Sequence, residues 1–198
     1  PTALRAANIT EQTRYFEFVY PDGYSRITGP LVQDADGTYE DYVRQLGANA
    51  STLDAPRVSV IVTANREDFE RAQPAKGGID TWAAGTAYPS LDLIIVTLEP
   101  DQFFDIQAIT RHEISHIAVH RVSGGRAPRW LDEGLAILHA GEEVIGRVRT
   151  AASASMGGQL LPMASLQRSF PSATHKAQLA YAQSVLFVRY LLEHHTLK

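Results

Sequence analysis

The hydrophobic period of this chain changes once, near Pro100, and that change constrains the fold more than any other feature. Before it, short apolar runs alternate with turn residues. Tyr15-Phe16-Glu17-Phe18-Val19-Tyr20 has strand composition and stops at Pro21-Asp22-Gly23, a turn-forming triplet. Val58-Ser59-Val60-Ile61-Val62 is β-branched and bounded by Pro56 and Asn65, and the run over residues 91–98 is the clearest strand. Between these runs, Tyr39, Tyr42, Val43 and Leu46 recur at helical spacing, which predicts a helix over 38–46 with Gly47 just past its end. A short helix is expected over 66–72, ended by Pro74. After Pro100 only the helical period remains. It predicts helices at about 107–122, 130–140, somewhere within 142–154, and 174–194, with Ser123-Gly124-Gly125-Arg126-Ala127-Pro128 breaking the first from the second. Strands and helices mixed early, then helices alone, describe an α+β domain with a helical second lobe. We expect a single domain over 1–198, with an α/β lobe over 1–105 and a helical lobe over 106–198.

Composition narrows the function classes. With 198 residues of which 44% are hydrophobic, the chain can bury a core without external staples. Lys and Arg number 18 against 22 Asp and Glu, a net charge of −4, and no basic stripe is present, which argues against nucleic acid as a partner. No cysteine occurs, so disulfides, thiolate metal ligands and a cysteine nucleophile are excluded. No window has the roughly 18 continuous apolar residues of a membrane span. The opening Pro1-Thr2-Ala3-Leu4 lacks both an initiator Met and a signal-peptide core and reads as a processing boundary. The last segment reads as a helix still running at the end, so the chain is expected to be a piece of something longer.

The chemistry concentrates in His112-Glu113-Ile114-Ser115-His116. Residues four apart on a helix differ by about 40° of rotation and about 6 Å of rise, so both imidazoles project from one face. Each can bring a nitrogen to one Zn²⁺, and Glu113, rotated by about 100°, can flank the metal without occupying its coordination sphere. In a chain with 7 His and 11 Glu, this pattern arises by chance roughly once per hundred such sequences, so the bland reading is a helix face with two coincident histidines. His120 lies on the same helix, but about 12 Å along the axis from His112, too far to share an ion. It is read as a surface residue or a neighbour of the site, and position 122, where a glycine-turn motif would place a third histidine, is Val.

Glu133, in Pro128-Arg129-Trp130-Leu131-Asp132-Glu133-Gly134-Leu135-Ala136, is the better third ligand. The first helix can end at Gly124-Gly125, the chain can reverse, and Pro128 sits where a new helix can start. An antiparallel partner then carries Glu133 back to the level of His112 and His116. Two imidazoles and one carboxylate leave a fourth position open, as a catalytic zinc requires. Read without the histidine motif, Glu133 is an ordinary solvated helix acid.

These two motifs together resemble the gluzincin metallopeptidases and, more narrowly, the bacterial peptidase MA-like families, in which HExxH is followed by Pro-x-Trp-Leu-x-Glu-Gly-x-Ala. The strand before the early helix ending at Leu46-Gly47, Val58-Ser59-Val60-Ile61-Val62, Phe69, Gly85-Thr86-Ala87, Leu161-Pro162-Met163, Leu166, Phe170 and Tyr181-Ala182-Gln183-Ser184 fit the same pattern. The resemblance implies a zincin-like fold with a mixed sheet in the first lobe and an active-site cleft between the lobes. It implies hydrolysis of a peptide or protein substrate with one Zn²⁺ held by His112, His116 and Glu133, and Glu113 as general base. It also points to Tyr181 as donor to the oxyanion, although the apolar helix around it makes a core role equally fitting. In related enzymes the substrate backbone pairs with an edge strand before the metal helix, and residues 83–87 are assigned that task, with Gly85 allowing close approach and Trp82 and Tyr88 flanking the segment and lining a pocket. A plain Gly/Ala loop is the competing reading.

Asp132 reads as a solvated first-turn acid rather than a group orienting a histidine, Trp130 as core between the two motif helices, and His175, His194 and His195 as residues without identifiable partners. The C-terminal region usually continues further in such families, and their location is often exported or membrane-tethered. A zinc-bearing but non-catalytic binding or scaffolding domain is the alternative function.

Overall fold

The computed structural model describes residues 7–53, 55–74, 83–98, 105–141, 144–171 and 173–194. Five strands form one mixed sheet in the order β1 (Asn8–Gln12), β2 (Phe16–Pro21), β3 (Val58–Thr63), β5 (Leu93–Thr97), β4 (Gly85–Tyr88). The three inner strands run parallel, and β1 and β4 are antiparallel at the two edges. The helices are α1 (Ser25–Gln45), α2 (Arg66–Ala72), α3 (Ile106–Ser123), α4 (Arg129–Ala140), α5 (Ile145–Met156) and α6 (Thr174–His194). The fold is therefore α+β, and no strand follows Thr97 among the described residues. None of the described helices is long and apolar enough to cross a membrane.

Alternation decides which sheet face is buried. Phe16, Phe18 and Tyr20 of β2 and Val58, Val60 and Val62 of β3 all point inward, and their neighbours along each strand are only half-buried, save Thr63 at the end of β3, which is buried. They pack with Leu31, Ala35, Tyr39, Tyr42 and Val43 of α1 and with Ile114, Ile117 and Ala118 of α3 in one continuous core. Ile95 points to the other face, and α2 lies against β3 and β5 with Phe69 fully buried.

Two elements differ from the sequence-based expectation. The early helix runs from Ser25 rather than from residue 38, in spite of Gly29, Pro30 and Gly37. A proline and two glycines cost a helix about 5 kcal/mol by propensity. Burying Leu31, Tyr39, Tyr42 and Val43 contributes about 1.5–3 kcal/mol each and wins. The edge strand β1 was not anticipated, because Asn8-Ile9-Thr10-Glu11-Gln12 is exposed on one side and polar; β2 supplies its register, with Thr10 opposite Val19. The strand expected over 91–98 is shorter, since Pro89–Leu91 form a single 3₁₀ turn before it. The remaining expected elements form within a few residues of their expected limits, and α2 and α6 match them. Gly47 ends α1 in the left-handed region at φ +79°, with its N–H on the Arg44 carbonyl. Gly77, Gly78, Trp82, Pro100, most of the expected lobe junction and His195 lie outside the described residues.

Candidate metal centre

Local sequence sets up the helix that carries the site. Asp105 caps α3 by accepting the N–H groups of Gln107 and Ala108 at 3.0 and 3.2 Å. Gly124 ends it in the left-handed conformation, and the Gly125 N–H bonds back to the His120 carbonyl. The chain then turns into α4 at Pro128, which carries no N–H to satisfy. Gly134 lets α4 meet α6 closely: a Cβ there would lie 2.6 Å from Val188 Cγ2 and 2.7 Å from the Ser184 carbonyl oxygen.

The result brings together the three side chains singled out from the sequence. His112, His116 and Glu133 each offer one ligand-type atom, and these atoms lie within 4.8 Å of one another. Glu133 Oε2 stands 3.5 Å from His112 Nε2 and 3.9 Å from His116 Nε2, and the two rings meet edge-on at 5.0 Å between centroids. Glu133 is only 2% exposed, yet among the described residues no donor meets hydrogen-bond geometry at its Oε2. A buried carboxylate oxygen left without a donor is costly, and a cation between it and the two imidazoles would remove the cost. Two nitrogens and one oxygen in this arrangement suit zinc. His120 does not join the group; its ring lies against Gly125 instead.

Electrostatics around the group are strongly polarised. Burial opposes ionisation of Glu133, but His116, His112 and Arg129 outweigh it and hold the carboxyl down to about 2. Glu113 is pushed up from the usual carboxylate range, chiefly by burial and further by Glu133, against the pull of both histidines. Burial also works against a charged His116, but Asp132 and Glu133 prevail and raise it. Asp132 Oδ1 accepts from His116 Nδ1 at 2.8 Å, which leaves Nε2 facing Glu133. Asp132 is therefore not the solvated acid expected from the sequence; it orients a histidine of the group. The signal was present, since Asp132 directly precedes Glu133, but a first-turn acid has a more ordinary explanation at the sequence level.

Three further residues near the group had been given no role. Arg129 pairs with Glu133 Oε1 and approaches Asp132 Oδ2 at 3.5 Å. The four-residue spacing of Arg129 and Glu133 was visible in the sequence. Ser115 and His139 bond to each other at 2.7 Å between Oγ and Nδ1, and Tyr42 stacks flat on His139 at 4.0 Å. Nothing in the sequence could have linked α1, α3 and α4 at that point.

The remaining expected site residues fall out as follows. Glu113 is buried beside β4, where a Cβ on Gly85 would lie 2.8 Å from Glu113 Oε1. Gly85 thus makes room for Glu113. Of residues 83–87, Gly85-Thr86-Ala87 lie in the edge strand β4, whereas Ala83 and Ala84 precede it, and among the described strands β4 pairs with β5 alone. Tyr88 donates its hydroxyl to Gln73 Oε1 at 2.7 Å. Tyr181 on α6 packs edge-on to Phe170 at 5.0 Å and acts electrostatically on Arg129, which brings it to the same neighbourhood as Glu133. Trp130 is half-buried, as expected of core, but its ring contact is Phe187 of α6 at 5.0 Å. His194 stacks on Tyr190 at 4.4 Å, and His175 is exposed outside the group.

No curated protein matches the chain. A family model described as the peptidase MA superfamily matches residues 55–197, which takes in β3 and every later element while β1, β2 and α1 precede it. That span is well over half of the chain, so the chain belongs to the peptidase MA superfamily.

Proposed function

We propose that this chain is a zinc-dependent peptidase in which His112, His116 and Glu133 hold one Zn²⁺ and Glu113 is the general base. The superfamily supports a peptidase-type hydrolase at the coarse level. The observation that carries the finer reading is the orphaned Oε2 of Glu133, buried and facing both imidazoles. Zinc, when bound, supplies Lewis acidity: it lowers the pKa of water to about 7 and polarises a carbonyl.

The chain's own residues do the rest. Glu113 accepts the proton of the attacking water at its carboxylate and returns it to the leaving amine nitrogen. Burial raises its proton affinity toward that of a useful base near neutral pH. Tyr181 donates its hydroxyl hydrogen bond to the oxyanion that develops on the scissile carbonyl. The edge of β4 that pairs with no other described strand receives the substrate backbone by strand addition, which favours peptide or protein substrates with little sequence preference. We read the chain as one catalytic domain over 1–198, with an α/β lobe over 1–105, a helical lobe over 106–198, and the substrate cleft between them.

The test combines two measurements. Wild-type protein should contain one zinc and cleave members of a peptide mixture, with cleavage lost in chelator. Glu113→Gln should retain the zinc and lose turnover by at least about 10²-fold, the scale of a general base. Full cleavage by that variant would overturn the base assignment. A zinc-loaded wild type that cleaves no peptide would favour a binding domain.

A further inference from the structure

Arg129 occupies a place that helix energetics disfavour. It is the first residue of α4, where the helix dipole favours acids and disfavours a cation. Its side chain, 43% exposed, nevertheless folds back over two carboxylates as a fork. One Nη pairs with Glu133 Oε1, and the other stands 3.5 Å from Asp132 Oδ2. The inner oxygens of the same two carboxylates face the histidines: Asp132 Oδ1 holds His116 Nδ1, and Glu133 Oε2 faces both Nε2 atoms. The Arg129 N–H bonds to the Gln167 carbonyl at 2.8 Å, so the base of the fork is fixed by the segment leading to α6.

A carboxylate can give a metal one oxygen or two. With Oε1 held by a guanidinium, Glu133 has one to give. We infer that Arg129 is a positioning residue that restricts Glu133 to single-oxygen ligation and couples it to the Asp132–His116 pair. This inference rests on the metal-centre reading proposed above. It assigns Arg129 the task of preserving the open fourth position, since a second oxygen from Glu133 would take up that space. Lysine cannot replace it fully, because an ammonium is a point charge and does not span two carboxylates as a planar fork does.

The experiment loads purified protein with cobalt(II) chloride in place of zinc and reads the visible absorption, which is strong for four-coordinate Co²⁺ and weaker for five-coordinate. The variants are Arg129→Met, which keeps the stem and removes the donors, and Arg129→Lys, which keeps the charge. Affinity is a poor readout here: losing a like charge strengthens cation binding while losing ligand orientation weakens it. Expected are a strong spectrum for the wild type, about a twofold or greater loss of intensity for Arg129→Met, and an intermediate value for Arg129→Lys, each with one cobalt bound. Spectra equal to the wild type in both variants would overturn the clamp while leaving the metal centre intact. If Arg129→Met does not fold, a wild-type spectrum in Arg129→Lys overturns it alone. A wild type that binds no stoichiometric cobalt would overturn the metal-centre reading and the clamp with it.

Discussion

Gly85→Ala asks whether β4 and the Glu113 carboxylate share one packed contact. A Cβ at position 85 would stand 2.6 Å from Ile109 Cγ2, 2.8 Å from Glu113 Oε1 and 3.0 Å from Glu113 Cγ. Carbon contacts are comfortable at about 3.5–4.0 Å, so the new methyl is about 1 Å too close to its nearest neighbour. Ile109 and Glu113 are four apart on one face of α3, so both must give way together. Either α3 shifts from the strand or Glu113 leaves its rotamer. Overpacking of this kind costs about 1–3 kcal/mol. At about 2–4 °C per kcal/mol for a chain of this size, the melting temperature should fall by roughly 2–12 °C. If Glu113 is the base proposed above, displacing it by about 1 Å costs on the order of 10²-fold in rate. Thermal melts, zinc content and turnover of a peptide mixture measure all three. Zinc content separates the two responses: it should hold where Glu113 turns and fall where α3, which carries His112 and His116, shifts. An alanine variant with wild-type melting and wild-type turnover would refute the packing argument.

Gly134→Ala should be more damaging to stability, at about 3 kcal/mol or more, because the Ser184 carbonyl it meets is backbone and cannot turn aside; urea melts measure it. Tyr181→Phe should lower kcat by about 10- to 10³-fold with KM little changed if the hydroxyl serves only the oxyanion, and steady-state kinetics separate this from a core role. Asp132→Asn should weaken zinc binding by about 10- to 100-fold, read by competition with a chelator, because it changes the partner that orients His116. His139 is held down to about 4, first by burial and then by His112. Its ordinary value is 6.5, so the unfolded chain takes up a proton that the folded chain refuses. The neutral-ring contribution is complete above about pH 6.5 and is lost as pH falls through about 4, a change of at most about 3 kcal/mol. In metal-free protein, His139→Asn should flatten that part of the stability profile relative to wild type, and equal profiles would count against the burial argument.

The elements legible in the sequence are those whose signal is local. α2 is bounded by Asn65, whose side chain accepts from Asp68 N–H, and by nearby Pro74, and it needs no tertiary help to be seen. β3 is a β-branched run between turn residues. α1 was half-hidden, because Gly29, Pro30 and Gly37 speak against a helix and the counterweight lies in the sheet it covers. β1 was hidden altogether: five polar or half-exposed residues become a strand only because β2 offers an unpaired edge.

The same distinction runs through the site. His112, Glu113 and His116 share one helix, so their mutual geometry follows from the helical repeat alone. Glu133 was reachable because glycines and a proline mark where one helix stops and the next begins, and an antiparallel return is the natural result. Asp132 and Arg129 ride on the same helix as Glu133, yet their roles depend on which way α4 is rotated about its axis. That rotation is set where Gly134, about 100° around the helix from Glu133, lets α4 settle onto Ser184 and Val188 of α6. A helix turns as a rigid body, so the contact with α6 also aims Glu133 at the imidazoles and leaves Arg129 astride the outer oxygens. A bulkier residue at 134 should therefore disturb the geometry of the His112, His116 and Glu133 group through α4 as a whole, without touching their side chains.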